Sequence, residues 1–213
     1  MDTTPYTAQD TALLIVDPYN DFVSEGGKLF NAIKQTADAV GLYDNLRLII
    51  PAARAGGLRV FVLPHHRSDP HGHDYDGWTH VNMFQDANRG SKAFEVGTWG
   101  GEFNPEFGPQ PGDVVIQEHW AQSGFANTDL DAQLRQRGVR KIILVGLIAN
   151  SCIESTGRFG AELGYHVTLV RDGMAAFSPE GMHVATEVNG PTFAHAILTT
   201  QELLAKLPVA QAA

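Results

Sequence analysis

The chain has 213 residues, of which 43% are hydrophobic, and its formal net charge is −9. That length fits one α/β domain with a large core, so we expect a single domain over residues 1–213. The negative charge argues against nucleic acid or an anionic membrane surface as a partner, and the apolar runs are too short to span a bilayer. A small molecule is therefore the expected partner.

Cysteine usage and the N-terminal sequence bear on the cellular compartment. The single cysteine, Cys152, excludes an internal disulfide and a cysteine-rich zinc site, and it fits a reducing environment. The sequence Met1-Asp-Thr-Thr-Pro5 has neither the basic nor the apolar segment of a secretory leader. Together these features predict a cytoplasmic protein.

Short apolar runs alternate with amphipathic segments along the chain. The runs predict six strands, at residues 12–16, 58–63, 113–116, 141–147, 166–170 and 196–199. Helical patterns lie near residues 35–55, 128–137, 151–163, 179–188 and 201–206. Buried strands separated by helices predict a doubly wound, six-stranded parallel sheet with helices on both faces, a three-layer α/β/α fold of Rossmann-like type.

Residues 64–111 interrupt this alternation with many glycines, prolines, histidines and aromatic residues. An insert of that length usually shapes a binding site or an oligomer contact, so we expect a homo-oligomer, either a dimer or a tetramer. Its tryptophans either pack in the core or form the wall of a pocket. The candidate substrate-binding residues in and around it are Tyr19, Phe22, His66, Arg67, Trp99 and Trp120.

Five histidines of the insert raise the question of a metal site. They are His65, His66, His71, His73 and His80. Their spacing matches no known ligand signature, and Pro70 and Gly72 predict a loose loop around them. We therefore expect no metal and no other cofactor.

Three chemically useful side chains follow three of the predicted strands. Asp17 ends the first strand, His119 follows the third and Cys152 follows the fourth. In a doubly wound sheet, ligands bind beyond the carboxyl ends of the strands, near the point where the strand order reverses. The sequence therefore predicts a site that contains these three residues.

Cys152 is the candidate nucleophile. It lies where a helix is predicted to begin, with Asn150 or Ser151 as the capping residue. Unpaired backbone N–H groups and the helix dipole at such a position lower the pKa of a thiol and favour the thiolate. The alternative is a small buried hydrophobic residue, since free cysteine is among the most buried residue types.

Asp17 and His119 each have a catalytic and a structural interpretation. A desolvated carboxylate at a strand end can act as a base, and a nearby histidine can share its proton and activate the thiol. Alternatively, Asp17 forms a turn with nearby N–H groups and His119 binds to the backbone at a strand end. Asp21 is better explained as a structural cap, and Glu118 is expected to point away from His119 because neighbouring side chains of a strand face opposite sides.

The order and spacing of several motifs resemble the isochorismatase-like cysteine hydrolases, the superfamily of nicotinamidase and N-carbamoylsarcosine amidase. The similarity extends from Thr11 to Leu204. The motifs are Leu14-Ile-Val-Asp17-Pro-Tyr-Asn-Asp-Phe22, Pro111-Gly-Asp-Val-Val-Ile116, Ser123-Gly-Phe-Ala-Asn-Thr-Asp-Leu130, Gly146-Leu-Ile-Ala-Asn-Ser-Cys-Ile-Glu-Ser-Thr156 and Leu169-Val-Arg-Asp172.

This resemblance implies a mechanism. Asp17 takes the proton of the Cys152 thiol, the thiolate attacks an amide carbonyl, an amine or ammonia leaves, and water cleaves the resulting thioester. The family also has a cis peptide bond before the cysteine, which falls at Leu147–Ile148. The resemblance also implies an oxyanion hole formed by the backbone N–H groups of Ile148 and Cys152.

The sequence departs from the family pattern at two positions. The family's catalytic lysine falls at His119, and no lysine occurs between Lys92 and Lys141. We expect His119 to replace it, whereas a one-residue slip would place Glu118 there. The aspartate of the nicotinamidase metal site is also missing from the matching stretch, Leu63-Pro-His65-His66-Arg67.

Three functions remain open at this stage. The leading hypothesis is a cysteine hydrolase that cleaves a small amide or a related C–N bond. An isochorismatase-type vinyl-ether hydrolase needs no thiol, so the presence of Cys152 argues against it. A non-catalytic binding or assembly protein is compatible with the missing lysine, although the retention of both Asp17 and Cys152 argues against it.

Overall fold

A six-stranded parallel sheet forms the centre of the molecule, with the strand order β3-β2-β1-β4-β5-β6. The computed structural model describes residues 5–209, so residues 1–4, on which the prediction of a missing leader partly depends, lie outside the described residues. The strands are β1 (Thr11–Val16), β2 (Arg59–Leu63), β3 (Val114–Val115), β4 (Lys141–Leu147), β5 (His166–Ala175) and β6 (Ala196–Leu198). All six predicted strands and their parallel direction are confirmed.

The strand sequences are continuously apolar because both faces of the sheet are covered. All six residues of β1 are buried, as are six of the seven in β4. These two strands are neighbours, and Val16 pairs with Leu63 on one side and with Gly146 on the other. The strand order reverses between β1 and β4, which places the switch point at their carboxyl ends.

Residues 5–209 contain eight α-helices, of which the first seven lie between strands and the last follows β6. They are α1 (Asn20–Val23), α2 (Phe30–Val40), α3 (Leu42–Ala55), α4 (Met83–Ser91), α5 (Leu130–Gln136), α6 (Glu154–Glu162), α7 (Pro179–His183) and α8 (Thr200–Leu204). Short 3-10 or π-helical turns occupy Trp99–Gly101, Ala149–Ile153, Val184–Asn189 and Gly190–Thr192. Within residues 5–209, no helix is long and apolar enough to cross a membrane.

Helices α3 and α6 cover opposite faces of the sheet. A Cβ atom added to Gly160 of α6 would lie 2.7 Å from Ile142 Cδ1, so this helix packs closely on that side chain of β4. A Cβ atom at Gly173 of β5 would lie 3.0 Å from Ile49 Cδ1 of α3 and 3.2 Å from Val145 Cγ1 of β4. Ile142 and Val145 are an odd number of residues apart along a strand, so their side chains point to opposite faces.

Two of the differences from the predicted elements concern helices α2 to α4. The helix predicted over residues 35–55 is two helices, α2 and α3, because Gly41 adopts a left-handed conformation with φ of 68° and ends the first of them. The insert contains helix α4, which was not predicted. Its signal in the sequence is a capping box, in which Asn82 and Gln85 each accept a hydrogen bond from the other's backbone N–H.

Candidate active site

The carboxyl ends of β1 and β4 bring Asp17 and Cys152 together. Asp17 directly follows β1 with a positive φ of 55°, and its backbone N–H donates to the carbonyl oxygen of Leu63 at 3.0 Å. Cys152 lies in the π-helical turn Ala149–Ile153, five residues beyond the end of β4. Gly146 permits the close approach of the two strands, because its φ is 109° and a side chain there would collide with the Val16 carbonyl oxygen.

His119 reaches the same place from a more distant strand. β3 is separated from β1 by β2, but the chain after β3 continues alongside residues 62–66. The N–H of Ile116 donates to Val62 O at 3.1 Å, that of His119 to Pro64 O at 2.9 Å, and that of His66 to His119 O at 2.9 Å. This pairing carries His119 inward to the end of β1, as the prediction required.

Asp17, His119 and Cys152 form one buried cluster, which we call the catalytic cluster. One ligand atom from each residue, a carboxylate oxygen, an imidazole nitrogen and the thiol sulfur, lies within 4.8 Å of the other two. His119 Nε2 is 3.1 Å from Asp17 Oδ1, whereas Asp17 Oδ2 is buried without a hydrogen-bond partner. The position next to Asp17 is therefore occupied by His119 and not by Glu118.

The hydrogen bonds of His119 indicate which of its ring nitrogens carry a proton. Nδ1 lies 3.2 Å from the carbonyl oxygen of Ala121, which can only accept, so Nδ1 carries a proton. Nε2 faces the Asp17 carboxylate at 3.1 Å. One further proton between Nε2 and Oδ1 satisfies both groups, either as an imidazolium beside a carboxylate or as a neutral pair. His119 and Asp17 are therefore placed to share one proton.

The thiol of Cys152 does not have the lowered pKa that its position in the sequence predicts. Burial of the sulfur, followed by the negative charge of Asp17, raises the pKa of Cys152 well above its ordinary value. Hydrogen bonds from Ser151 and from the backbone N–H of Ile148 act in the opposite direction but are outweighed. Neither Asn150 nor Ser151 caps the turn with its side chain, so that expectation is also wrong. The resting thiol is protonated and needs a base.

One backbone feature that the family resemblance implies lies between β4 and Cys152. The peptide bond between Leu147 and Ile148 is cis. The carbonyl oxygen of Ile148 accepts hydrogen bonds from the N–H groups of Ser151 at 3.0 Å and Ile153 at 3.2 Å, which closes the turn around Cys152. The Ile148 N–H is directed toward the sulfur.

His65 is a neighbour of the cluster, and the sequence did not predict its contact with His119. Its ring packs edge-on against the ring of His119, with centroids 5.1 Å apart. Burial, followed by the charge of His119, lowers the pKa of His65 to about 4. Nδ1 donates to the carbonyl oxygen of His66 at 2.8 Å, and Nε2 lies 3.4 Å from the Asn88 side-chain nitrogen. His65 is thus a neutral residue that fixes the position of the His119 ring.

Glu118 points away from the cluster, as predicted, and lies in a separate charged group. Arg67 Nε donates to Glu118 Oε1 at 2.6 Å, and His66 Nδ1 lies 3.3 Å from Glu118 Oε2. Burial opposes the ionisation of Glu118, but the hydrogen bonds from His66 and Arg67 outweigh it and lower the pKa to about 2. Burial also opposes the charge on His66, yet its bonds to Glu118 and Asp74 raise its pKa.

A surface cavity of about 380 Å³ lies beside the segment that carries His119. Three of the predicted substrate-binding residues, His66, Arg67 and Trp120, contribute to its lining together with Asp74 and Glu118. The rings of His66 and Trp120 are stacked with centroids 3.8 Å apart.

The other predicted binding residues have different environments. Tyr19 and Phe22 are buried and pack against Phe94, with ring centroids 4.8 and 5.0 Å away, in the wall between α1 and the insert. Trp99 has an exposed side chain, and its carbonyl oxygen accepts a hydrogen bond from Asn20.

The Asp21 carboxylate accepts two backbone hydrogen bonds in the same wall between α1 and the insert. Its Oδ2 accepts a hydrogen bond from the Phe94 N–H at 2.8 Å, and Oδ1 accepts one from the Lys28 N–H at 2.9 Å. The structural interpretation of Asp21 is therefore confirmed.

The histidines of the insert are dispersed. His65 contacts His119, His66 binds Asp74 at 2.9 Å, and the exposed His73 binds Asp76 at 2.7 Å. Among the described residues, only Asp17, His119 and Cys152 form a group of three or more His, Cys, Asp or Glu ligands close enough to share one ion.

Comparisons with known proteins give a family match and similar relatives. A family model for the isochorismatase domain matches residues 11–201. A ureidoacrylate amidohydrolase of Rhizobium rhizogenes is 30% identical over 212 residues, which cover 96% of this chain and 85% of that protein.

Solved structures show the same similarity. A cysteine hydrolase from Pseudomonas syringae pv. phaseolicola superposes with a TM-score of 0.76 at 28% identity, over 96% of this chain and 95% of that one. N-carbamoylsarcosine amidase from Thermoplasma acidophilum superposes with a TM-score of 0.64 at 27% identity, over 91% of this chain and 98% of that one.

Proposed function

The chain belongs to the isochorismatase family and is a hydrolase, and on this basis we propose that it cleaves a small amide or ureido compound through a thioester on Cys152. The observation that carries this proposal is the catalytic cluster, in which a thiol, a carboxylate and an imidazole are buried with one atom of each within 4.8 Å of the others. A nucleophile, a base and a group that orients the base are the parts that covalent hydrolysis needs.

The first step is the activation of the thiol. The raised pKa of Cys152 keeps the sulfur protonated until a substrate is bound. Asp17 then takes the thiol proton as the sulfur attacks the carbonyl carbon, while His119 offsets the negative charge that the carboxylate carries beforehand. This arrangement avoids a permanent thiolate next to a carboxylate in a buried site, where two negative charges would repel each other strongly.

The second step is the collapse of the tetrahedral intermediate. Its oxyanion accepts hydrogen bonds from the backbone N–H groups of Ile148 and Cys152. Asp17 returns the proton to the leaving nitrogen, so ammonia or an amine departs and a thioester remains. Water then attacks the thioester, Asp17 takes the proton of the water, and the departing sulfur recovers it. The carboxyl product and the free thiol complete the cycle.

The relatives suggest the class of substrate. One is a ureidoacrylate amidohydrolase and another an N-carbamoylsarcosine amidase, so both names describe a carbonyl bonded to nitrogen. We propose the same class for this chain. The cavity lined by His66, Arg67 and Trp120 lies next to the His119 segment and is the candidate binding site for the part of the substrate that does not react.

A panel assay tests the proposal. Primary amides, N-carbamoyl amino acids, ureidoacrylate and isochorismate are each incubated with the enzyme, and ammonia and carboxylate or vinyl-ether products are quantified. We expect ammonia release from at least one amide or ureido compound, together with a mass increase on Cys152 in rapidly acid-quenched samples. Turnover of isochorismate alone, or ammonia release by Cys152→Ala at the wild-type rate, contradicts the proposal.

A further inference from the structure

The catalytic cluster has the composition of a metal-ligand set, and we propose that it binds one thiophilic divalent cation such as Zn²⁺ in place of substrate. Sulfur from cysteine, nitrogen from histidine and oxygen from aspartate are the three ligand types that zinc takes from proteins. The histidine is the decisive difference from the family pattern. A lysine ammonium offers three donors and no lone pair, whereas the imidazole Nε2 of His119 can coordinate once it has lost its proton.

The distances suit such a site after a small adjustment. The three ligand atoms lie within 4.8 Å of one another. In a tetrahedral zinc site, bond lengths of about 2.0 to 2.3 Å place ligand atoms about 3.5 Å apart. Side-chain movements of roughly 1 Å would therefore bring the three ligand atoms to the distances of a tetrahedral site. Asp17 Oδ2 is buried without a hydrogen-bond partner, so one carboxylate oxygen is available even while Oδ1 faces His119.

The surroundings of His119 already orient it as a ligand. Metal-binding histidines usually donate their other ring N–H to a carbonyl or carboxylate, which fixes the ring and directs the free nitrogen at the ion. His119 Nδ1 lies 3.2 Å from the Ala121 carbonyl oxygen, and Nε2 faces Asp17. A cation would thus replace the proton that His119 and Asp17 share.

The charge balance also favours a divalent ion. A thiolate from Cys152 and a carboxylate from Asp17 together neutralise two positive charges, and His119 adds a neutral ligand. All three side chains are buried, where an uncompensated charge is costly. The fourth coordination position is left for water. If the proposed function holds, the bound cation occupies both the nucleophile and the base and inhibits hydrolysis reversibly; cation binding itself does not depend on that function.

Cobalt is the probe for a direct test, since Co²⁺ commonly occupies zinc sites and a thiolate bonded to it gives a charge-transfer band in the near ultraviolet. The full chain is freed of metal with a chelator and titrated with Co²⁺. Cys152 is the only cysteine of the chain, so any such band comes from this site. We expect a band that saturates at one Co²⁺ per chain and disappears when Zn²⁺ is added. The absence of the band overturns the proposal.

One variant, paired with a control, tests His119 as a ligand. His119→Lys should weaken Co²⁺ binding more than about 100-fold, because loss of an outer-shell partner alone costs 10- to 100-fold in metal affinity. The matched control is His73→Ala, since His73 is exposed and bonded only to Asp76; it should bind Co²⁺ like the wild type. Equal binding by wild type and His119→Lys overturns the proposal.

A measurement on the wild type covers the case in which His119→Lys does not fold. The zinc K-edge absorption spectrum should show one sulfur at about 2.3 Å and at least one imidazole nitrogen at about 2.0 Å. A coordination shell without imidazole also overturns the proposal.

Discussion

His119 Nε2 lies 3.1 Å from Asp17 Oδ1, and both side chains are fully buried. Each residue depends on the other, because a buried charge without a partner is strongly destabilising. The Ala121 carbonyl oxygen and the His65 ring hold His119 from the other sides. The histidine is therefore part of a preformed pair at the base of the candidate active site.

Replacing this histidine by lysine should change the pH dependence of hydrolysis. The proposed mechanism uses a positive charge beside Asp17, so activity should fall on the alkaline side where the side chain at position 119 can no longer supply that charge. Unperturbed histidine titrates near about 6.5 and lysine near about 10.4, so His119→Lys should move the alkaline limb to higher pH. The measurement is kcat/KM against pH for both proteins; an alkaline limb that stays in place would reduce His119 to a structural residue.

His119→Ala is the corresponding test in which the imidazole is removed and not replaced by another cation. It leaves Asp17 buried without its partner, which should lower the free energy of unfolding by about 3–5 kcal/mol and reduce kcat/KM by about 10²-fold or more. Denaturant unfolding and the amide assay measure the two effects separately. An alanine variant as active as the wild type would contradict the proposed role.

Cys152→Ala should abolish hydrolysis and preserve the fold. The substitution removes the nucleophile and a small buried volume, so the loss of unfolding free energy should be about 1 kcal/mol. Ser155→Ala is the matched control, because it removes a similarly small group from the same segment, where the Ser155 hydroxyl donates to Gln122 at 3.4 Å; it should retain most of the activity. Circular dichroism and ammonia release give the two readouts; a Cys152→Ala variant that still turns over substrate would exclude the thioester mechanism.

Asp17→Asn should separate the acidity of the thiol from catalysis. The negative charge of Asp17 is, after burial, the main cause of the raised pKa of Cys152. Its removal should lower that pKa, increase the thiolate fraction at neutral pH and accelerate alkylation by iodoacetamide, while hydrolysis is lost with the base. Mass spectrometry of timed samples follows alkylation at Cys152. Slower alkylation in Asp17→Asn than in the wild type would show that Asp17 does not raise the thiol pKa.

Removal of metal ions should not reduce the activity. The proposed mechanism uses a thiol, a carboxylate and backbone N–H groups, and none of its steps requires a metal. Dialysis against a chelator should leave kcat unchanged or raise it if a cation had occupied the catalytic cluster. A loss of activity that a divalent ion restores would contradict this mechanism.

The sequence predicted most of the fold and the three clustered residues, for reasons visible in particular elements. Strands such as β1 are continuously apolar, and the carboxyl ends of parallel strands meet at one edge, which is why Asp17 and Cys152 could be placed together. The split at Gly41 was missed because the helical pattern continues through it on both sides.

The acidity of Cys152 could not be predicted in the same way. It depends on burial and on the distance to the Asp17 carboxylate, which only the folded chain determines. The position of His119 required the pairing of residues 116–119 with residues 62–66, a contact between segments distant in the sequence.

Glu118→Gln should reduce stability in a pH-dependent way. The pKa of Glu118 is lowered from its usual value of about 4.5 to about 2, so its charge stabilises the folded state above pH 4.5 and this contribution is lost as the pH falls toward 2. With allowance for partial exposure, the contribution is about 2 kcal/mol. The variant should therefore be less stable than the wild type near pH 6, and the difference should shrink toward pH 3, roughly in step with protonation of the wild-type carboxyl.

The comparison is best made between about pH 3 and pH 6, because His66 has a raised pKa and stays charged over this range. Glu187→Gln is the matched control, since Glu187 forms an exposed ion pair with Arg171 at 3.1 Å and should change stability by less than about 1 kcal/mol. Urea unfolding at each pH gives the free energies. A difference between wild type and Glu118→Gln that is constant with pH would show that the charge of Glu118 does not contribute, and that only its packing with Arg67 and His66 does.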